Sequence, residues 1–243
     1  MARSLGELGE LTYVFFQEPG LKSPSRDDLP FCRELVAVPQ PRLYSPGRLL
    51  RGLVGKWPLT VVNYTSAAMT DALSKVARGG PFDLVHMDII HMAGYQSFLQ
   101  RELPGAQIFY NWHNIESELM RRFGEQASSL PKRLYAAVTA RKLAAAEKHI
   151  LSSAFGHVVC SEREREQLLA VEPHSRIHVI ANGVDTKYFR ETPNTGGSRK
   201  RIVFVGSMGY HANIERPYPR YQLIGHRPSS PRQRNLYGRA CTG

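Results

Sequence analysis

The sequence predicts an α/β fold built on a doubly wound parallel sheet. Short apolar segments rich in Val, Ile and Phe alternate with longer amphipathic segments, an order typical of strands joined by helices. Several apolar segments lack the strict polar–apolar alternation of a half-exposed strand, which indicates burial on both faces of a parallel sheet. The composition, with 42% hydrophobic and 22% charged residues, is that of a globular protein.

The individual elements follow from these segments in chain order. Strands are predicted at 11–16, 34–39, 83–90, 107–112, 156–160, 176–181 and 201–206. Helices are predicted between them at 46–54, 65–78, 91–102, 115–127, 131–154 and 161–170. The segment 131–154 is rich in Ala, Leu, Lys and Arg, which favour helices. Its apolar residues follow the helical period only loosely, which predicts that one face of the helix mixes apolar and polar residues. Ser161 and Glu164 form a Ser-x-x-Glu capping box that predicts a helix start.

Two segments rich in Pro, Gly and Ser interrupt this alternation. Residues 17–30 are predicted to form a loop, and the sequence TPNTGGS at 192–198 is typical of a linker. We therefore predict a first α/β domain over residues 1–191 and a linker over 192–200. The opening strand of a second domain is predicted within 201–215.

The segment 216–243 differs from everything before it. It has six Arg, four Pro, no acidic residue and no apolar periodicity. Pro217 and Pro219 prevent a regular helix where one is expected to follow the strand. We expect an unstructured terminus or a shifted reading frame, unrelated to the preceding fold. The alternative is a basic arm that binds nucleic acid.

The net charge and the cysteine content reduce the number of functional classes to which the chain could belong. The net charge is +11, but it falls to +5 without the segment 216–243, and no nucleic-acid motif is present. The three cysteines lie far apart without a CxxC pair, which favours a reduced, cytoplasmic setting over a disulfide framework. Neither a secretory signal nor a run of about 20 apolar residues is found. We predict no nucleic-acid partner.

Candidate site residues lie where the predicted strands end, because parallel sheets bind ligands at the carboxyl ends of their strands. We predict that these residues line one substrate-binding crevice: His91, His113, Asn114, Glu116, Ser161, Asn182, Gly183, Asp185, Gly206, Ser207, Met208 and Gly209.

Each of these residues also has a structural interpretation. His113 can cap a helix, and Asn182-Gly183 is a common turn pair. Ser161 is better explained as the N-cap of a helix than as a nucleophile, since no Ser-His-Asp arrangement is visible. The GSMG sequence at 206–209 lacks the complete fingerprint of a phosphate-binding loop. The position of these residues at the strand ends therefore does not indicate which reaction they would catalyse.

Four segments, in the order NWHNIES (111–117), VVCSERE (158–164), VIANGVDTKYF (179–189) and RIVFVGSMGYHANIE (201–215), carry a specific resemblance. Together they resemble the retaining glycosyltransferases of family 4, which have the GT-B architecture of two Rossmann-like domains. The resemblance covers residues 5–215. The GSM sequence followed by N-I-E is similar to bacterial members that build exopolysaccharide or other cell-envelope glycans.

The resemblance implies transfer of a sugar from a nucleotide-sugar donor to a hydroxyl of a glycan or lipid-linked acceptor, with retention. His113 would be catalytic and lie beside the transferred sugar. Asn182 and Gly183 would belong to the loop that crosses toward the hinge. Gly206, Ser207 and Met208 would form the donor-phosphate loop. No cofactor and no metal are implied, because basic side chains and a helix N-terminus neutralise the diphosphate. The setting would be cytoplasmic, with peripheral association at the inner face of the membrane.

The sequence departs from the family pattern at both ends. At the C-terminal end, no Arg/Lys pair and no Glu-x7-Glu motif follow Glu215. At the N-terminal end, the segment RSLGELGELTYVFF resembles the end of the family's first helix and the strand that follows it, which is the family's second strand. We therefore expect a chain truncated at both ends, with only the first strand of its donor domain and no measurable transferase activity. Activity should be lost because removing even one group that stabilises the charge of the transition state costs about 3–4 kcal/mol. The alternative is a non-catalytic sugar- or nucleotide-binding module.

Overall fold

The computed structural model of this chain describes residues 2–186. The predicted strand at 201–206, the linker at 192–200, the domain boundary after residue 191 and the segment 216–243 all lie outside the described residues. They remain predictions from the sequence.

Strands and parallel pairing follow the predicted pattern closely. The strands are β1 (Thr12–Gln17), β2 (Glu34–Pro39), β3 (Leu84–Asp88), β4 (Gln107–Asn111), β5 (Gly156–Val159) and β6 (Ile177–Val179). Every strand pair within the described residues is parallel. The predicted α/β class with parallel strands is confirmed.

Helices connect these strands in the order expected for a Rossmann-like domain. They are α1 (Ala2–Leu8), α2 (Pro46–Val54), α3 (Leu59–Tyr64), α4 (Ala67–Arg78), α5 (Gln96–Glu102), α6 (Glu116–Gln126), α7 (Leu130–Ser153) and α8 (Glu162–Val171). Helix α1 leads directly into β1, as the sequence RSLGELGELTYVFF indicated. None of the helices within residues 2–186 is long and apolar enough to span a membrane.

The strands form two parallel sheets, whereas the sequence predicted one. Strand β1 pairs with β2, and a second sheet has the order β3-β4-β5-β6. Backbone pairing requires strands to lie about 4.8 Å apart, and within the described residues β1 forms no ladder with β3. The two sheets nevertheless share a core, because Val14, Phe16 and Val38 pack with the buried residues of the larger sheet.

Helix α7 buries a different face from the one its loose apolar pattern indicated. Ala136, Leu143 and Ile150 are fully buried at a spacing of seven residues, which places them along one stripe of a helix. Leu134 is exposed, although it is apolar. Tertiary packing therefore selects the narrow stripe that begins at Ala136.

Several local boundaries differ from the predictions. The predicted strand 83–90 ends at Asp88, and a 3-10 helix (Ile90–Tyr95) precedes α5 where one helix was predicted over 91–102. The helix predicted at 65–78 begins at Ala67, because Ser66 accepts a hydrogen bond from the backbone N–H of Met69 as its N-cap. Helix α3 was not predicted, since its Thr and Val residues favour strands.

Candidate functional site

The carboxyl ends of β3 and β4 bring two polar residues together. Asp88 and Asn111 are the last residues of these neighbouring strands, and they lie opposite each other in the parallel register. The Nδ2 atom of Asn111 donates a hydrogen bond to Oδ1 of Asp88 at 2.8 Å. This pair marks the edge of the sheet where ligands bind in parallel α/β folds.

His113 joins this pair from the loop between β4 and α6. Its Nε2 lies 2.9 Å from Oδ1 of Asp88, and the side chains of both residues are more than half exposed. Partial burial alone would raise the pKa of Asp88. The hydrogen bonds from Asn111 and His113, together with the nearby imidazoles, outweigh burial, so that the pKa of Asp88 falls below its ordinary value. Asp88 is therefore a carboxylate at neutral pH.

The carboxylate of Asp88 determines how the His113 ring is oriented. An ionised carboxylate accepts hydrogen bonds only, so Nε2 of His113 carries a proton when it faces Oδ1. In the neutral ring, Nδ1 is then the basic nitrogen. Within residues 2–186, Nδ1 of His113 has no hydrogen-bond partner. The ring thus presents an accessible acceptor on a side chain that Asp88 holds in place.

The loop that carries His113 is fixed at its far end by Glu147 of α7. Helix α6 begins after Ile115, whose side chain cannot cap it. Oε1 of Glu147 accepts a hydrogen bond from the backbone N–H of Ser117 at 2.9 Å, and Oε2 accepts one from the Ser117 hydroxyl. Glu147 is only 4% exposed. A carboxylate from another helix therefore supplies the cap that α6 lacks.

The two carboxyl groups at this helix start influence each other. Burial raises the pKa of Glu116, and the Glu147 carboxylate raises it further, while His113 acts in the opposite direction. Burial also raises the pKa of Glu147, and hydrogen bonds from Ser117 and the Glu116 backbone oppose this. Glu116 therefore binds its proton more tightly than an exposed carboxylate does.

Buried aromatic residues support β4 beneath the site. Trp112 donates a hydrogen bond from Nε1 to Nδ1 of His157 at 3.2 Å, and both residues are buried. Burial lowers the pKa of His157 to about 4, so the ring is neutral and can accept this bond. The Tyr110 hydroxyl donates to Oε1 of Gln96 at 3.0 Å. Trp112 and Tyr110 thus belong to the core.

A strained residue follows Asp88. Ile89 has φ +69° and ψ +152°, a region that residues other than Gly rarely adopt and that costs about 1–3 kcal/mol. Its N–H donates to the carbonyl oxygen of Asn111 at 3.1 Å. The turn leads into the 3-10 helix, in which His91 stacks on Tyr64 with ring centroids 5.1 Å apart. The strain accompanies the turn that ends β3 at Asp88.

The remaining predicted residues lie along the same sheet edge. Ser161 follows β5, and Asn182 and Gly183 follow β6, where both are exposed. Asp185 is also exposed, but it lies outside the compact unit that ends at Val184. Asn114 is exposed beside His113. The structure brings His113 close to both Asp88 and Glu116, but it joins neither His113 nor Glu116 to Ser161 or Asn182 by a hydrogen bond. Gly206, Ser207, Met208 and Gly209 lie outside the described residues.

Ser161 is the N-cap of α8, as the capping box predicted. Its Oγ accepts a hydrogen bond from the backbone N–H of Glu164 at 3.3 Å, and Oε2 of Glu164 accepts one from the backbone N–H of Cys160 at 3.2 Å.

We predict that Ser161→Ala lowers the free energy of unfolding by about 1 kcal/mol, measured by urea denaturation. Ser152→Ala, which removes an exposed hydroxyl of α7, is the control and should change it by less than about 0.5 kcal/mol. An equal loss in both variants would contradict the cap.

Sequence reasoning missed Asp88, Asn111 and Glu147. Asp88 had a detectable signal, because it is a carboxylate within an otherwise apolar strand segment. Glu147 had none, since it lies 30 residues from Ser117 in a helix rich in Ala and Lys. Within the part of the chain that the structure describes, no group of three or more His, Cys, Asp or Glu residues could hold a metal ion.

Fold and geometry define an α/β protein with polar side chains gathered at the carboxyl edge of a parallel sheet. The chain belongs to glycosyltransferase family 4, whose model matches residues 1–188. A transferase of this family acts on a sugar donor and an acceptor. A comparison with curated proteins finds none that matches the chain.

Proposed function

We propose that this chain carries the acceptor side of a retaining transferase with the GT-B architecture, which moves a hexose from a nucleotide-sugar to an acceptor hydroxyl. The observation that carries the proposal is the Asp88–His113 pair, exposed at the carboxyl edge of β3 and β4 in a family-4 chain. An oriented imidazole with an accessible Nδ1 suits a hydroxyl that donates a hydrogen bond near the reacting sugar.

The neighbouring residues have roles that fit this chemistry. His113 is the catalytic residue. Asn114 contacts substrate hydroxyls from the same loop, and Glu116 does so from the first turn of α6. Ser161, Asn182, Gly183 and Asp185 line the substrate crevice from the loops after β5 and β6. The raised pKa of Glu116 supports a carboxyl group that donates as well as accepts hydrogen bonds.

Gly206, Ser207 and Met208 are proposed as the donor-phosphate loop. The diphosphate is neutralised by backbone N–H groups and basic side chains, so the reaction needs neither a metal nor another cofactor. We place the protein in the cytoplasm, at the inner face of a bacterial membrane. There it takes part in synthesis of polysaccharide or cell-envelope glycan and has no nucleic-acid partner.

The sequence after Glu215 lacks the Arg/Lys pair and the Glu-x7-Glu motif of donor domains. We therefore propose that the chain alone gives no turnover with a radiolabelled nucleotide-sugar. A chimaera that joins residues 1–200 to the donor domain of an active family-4 transferase tests the acceptor side. With octyl glycosides as acceptors, this chimaera should form labelled glycoside, and His113→Ala should slow it at least about 100-fold.

Two results would count against the proposal. A folded chimaera without turnover, beside a fully active parent enzyme, would contradict a transferase acceptor site. Turnover that His113→Ala leaves unchanged would contradict the role of His113. Binding of octyl glycosides or nucleotide to the full chain, with no turnover in the chimaera, would indicate a non-catalytic sugar- or nucleotide-binding module.

A further inference from the structure

Helix α2 exposes the apolar face that a surface helix ordinarily buries. Leu50 is 62% exposed, Leu53 64% and Val54 76%, and Leu49 is also exposed. We call these four side chains the α2 surface. Single exposed apolar residues are common, but four within one nine-residue helix form a contiguous patch of the kind that marks an interaction site.

The opposite face of α2 explains why the leucines point outward. Gly52 is the buried residue of the helix, and a Cβ there would lie 2.9 Å from the Cα of Leu59. Only a glycine allows this close approach of α2 to α3. Arg48 donates hydrogen bonds to the carbonyl oxygens of Val62 and Asn63 on the same side. Gly52 and Arg48 therefore face the protein.

Lys142 of α7 holds the C-terminal end of α2 in this orientation. Its Nζ lies 2.6 Å from the carbonyl oxygen of Gly52, 2.5 Å from that of Leu53 and 2.9 Å from that of Gly55. These carbonyls would otherwise lack a partner at the end of the helix. A charge-assisted contact with three carbonyls keeps the apolar face in solvent.

The charged residues in the sequence around α2 are of one sign. No acidic residue occurs between Glu34 and Asp71, a stretch that contains Arg42, Arg48, Arg51 and Lys56. Arg48 is used internally, whereas Arg42, Arg51 and Lys56 are exposed. An exposed apolar ridge with flanking cations is the pattern of a helix that lies in the interface of an anionic membrane.

The α2 surface is connected to the candidate site through packed elements. Helix α2 packs on α3, and Tyr64 at the end of α3 stacks on His91. His91 lies in the 3-10 helix that begins two residues after Asp88. A membrane that contacts α2 would therefore lie on the flank of the sheet edge that carries Asp88 and His113.

We propose that the α2 surface docks on an anionic phospholipid membrane, with Leu50, Leu53 and Val54 inserted among the acyl chains and Arg51 and Lys56 at the headgroups. The docked chain presents its sheet edge to acceptors that are anchored in the bilayer. This acceptor clause rests on the proposed function, whereas the docking itself does not.

Sedimentation of the full chain with vesicles tests the docking. Vesicles of phosphatidylcholine with about one third phosphatidylglycerol should bind the chain, and pure phosphatidylcholine vesicles should bind at least tenfold more weakly. Raising the salt concentration should weaken binding to the anionic vesicles, because exposed charges are screened. Leu50→Ser/Leu53→Ser should reduce partitioning at least tenfold, and Arg51→Gln should reduce it severalfold.

Leu21→Ser is the matched control, since Leu21 is 63% exposed in the loop between β1 and β2. It should bind vesicles like the unaltered chain, and all variants should keep the same circular dichroism spectrum. Equal binding to neutral and anionic vesicles, or full binding by the double variant, would overturn the proposal. So would a dimer that the double variant disrupts without any vesicle binding, because a second copy would then cover the surface.

The two proposals fail separately. Vesicle binding without turnover in the chimaera would leave the docking surface intact and remove the transferase assignment. Turnover with soluble octyl glycosides but no vesicle binding would support the transferase assignment and remove the docking surface.

Discussion

Replacing Glu147 with Ala is expected to lower the free energy of unfolding by about 3 kcal/mol. The substitution leaves the backbone N–H and the hydroxyl of Ser117 without their acceptor in a largely buried position. A buried donor without a partner costs about 1–3 kcal/mol, and the lost methylene groups add a small cavity. Urea denaturation followed by circular dichroism measures the change.

Glu147→Gln is the matched control for this prediction. The amide keeps the volume, its oxygen can accept from the Ser117 N–H, and its NH₂ group can donate to the Ser117 hydroxyl. We expect a loss below about 1 kcal/mol. A Glu147→Ala variant as stable as Glu147→Gln would show that Glu147 does not cap α6.

The same residue gives the stability a pH dependence with a defined sign. Because burial raises the pKa of Glu147 above its ordinary value of 4.5, the folded state binds its proton more tightly than the unfolded state does. The free energy of unfolding therefore decreases as the pH rises from about 4.5 through the folded pKa. Glu147→Gln should lose this dependence and gain relative to the unaltered chain as the pH rises. A difference that stays constant between about pH 4.5 and 8 would contradict the raised pKa.

Replacing Asp88 with Asn is expected to lower the turnover of the chimaera about 100-fold. The amide side chain has the size of the carboxylate but donates as well as accepts hydrogen bonds, so it no longer fixes the proton on Nε2 of His113. The transfer should slow because the imidazole no longer holds Nδ1 toward the acceptor. The long-range proton–nitrogen spectrum of His113 in the full chain reports this directly, since the two tautomers have different nitrogen shifts.

Asp83→Asn provides the comparison for Asp88→Asn. Asp83 is an exposed carboxylate immediately before β3, at the opposite end of the same strand. Its replacement removes the same charge from the domain without touching His113. Turnover and the His113 spectrum should remain unchanged. Similar losses in both variants would assign the effect to net charge and not to the Asp88–His113 contact.

Much of the fold follows from local sequence. The runs TYVFF and ELVAVP form β1 and β2 because their residues favour extended, buried backbone. The Ser161–Glu164 capping box marked the start of α8 because its chemistry is confined to four residues. By contrast, α3 escaped prediction because contacts with α2 and the 3-10 helix stabilise a helix in a sequence of β-branched residues.

The sequence by itself determined the parallel α/β class and the strand ends near which the candidate residues lie, because apolar runs and caps act over a few neighbouring positions. His113 and Asn114 could therefore be placed on one loop, and Glu116 at the start of the helix after it, without a structure. Only the tertiary structure decided that Asp88 orients His113 and that Glu147 caps the helix after it. These contacts join residues 25 and 30 positions apart, and such pairs form only when packing brings separate elements together.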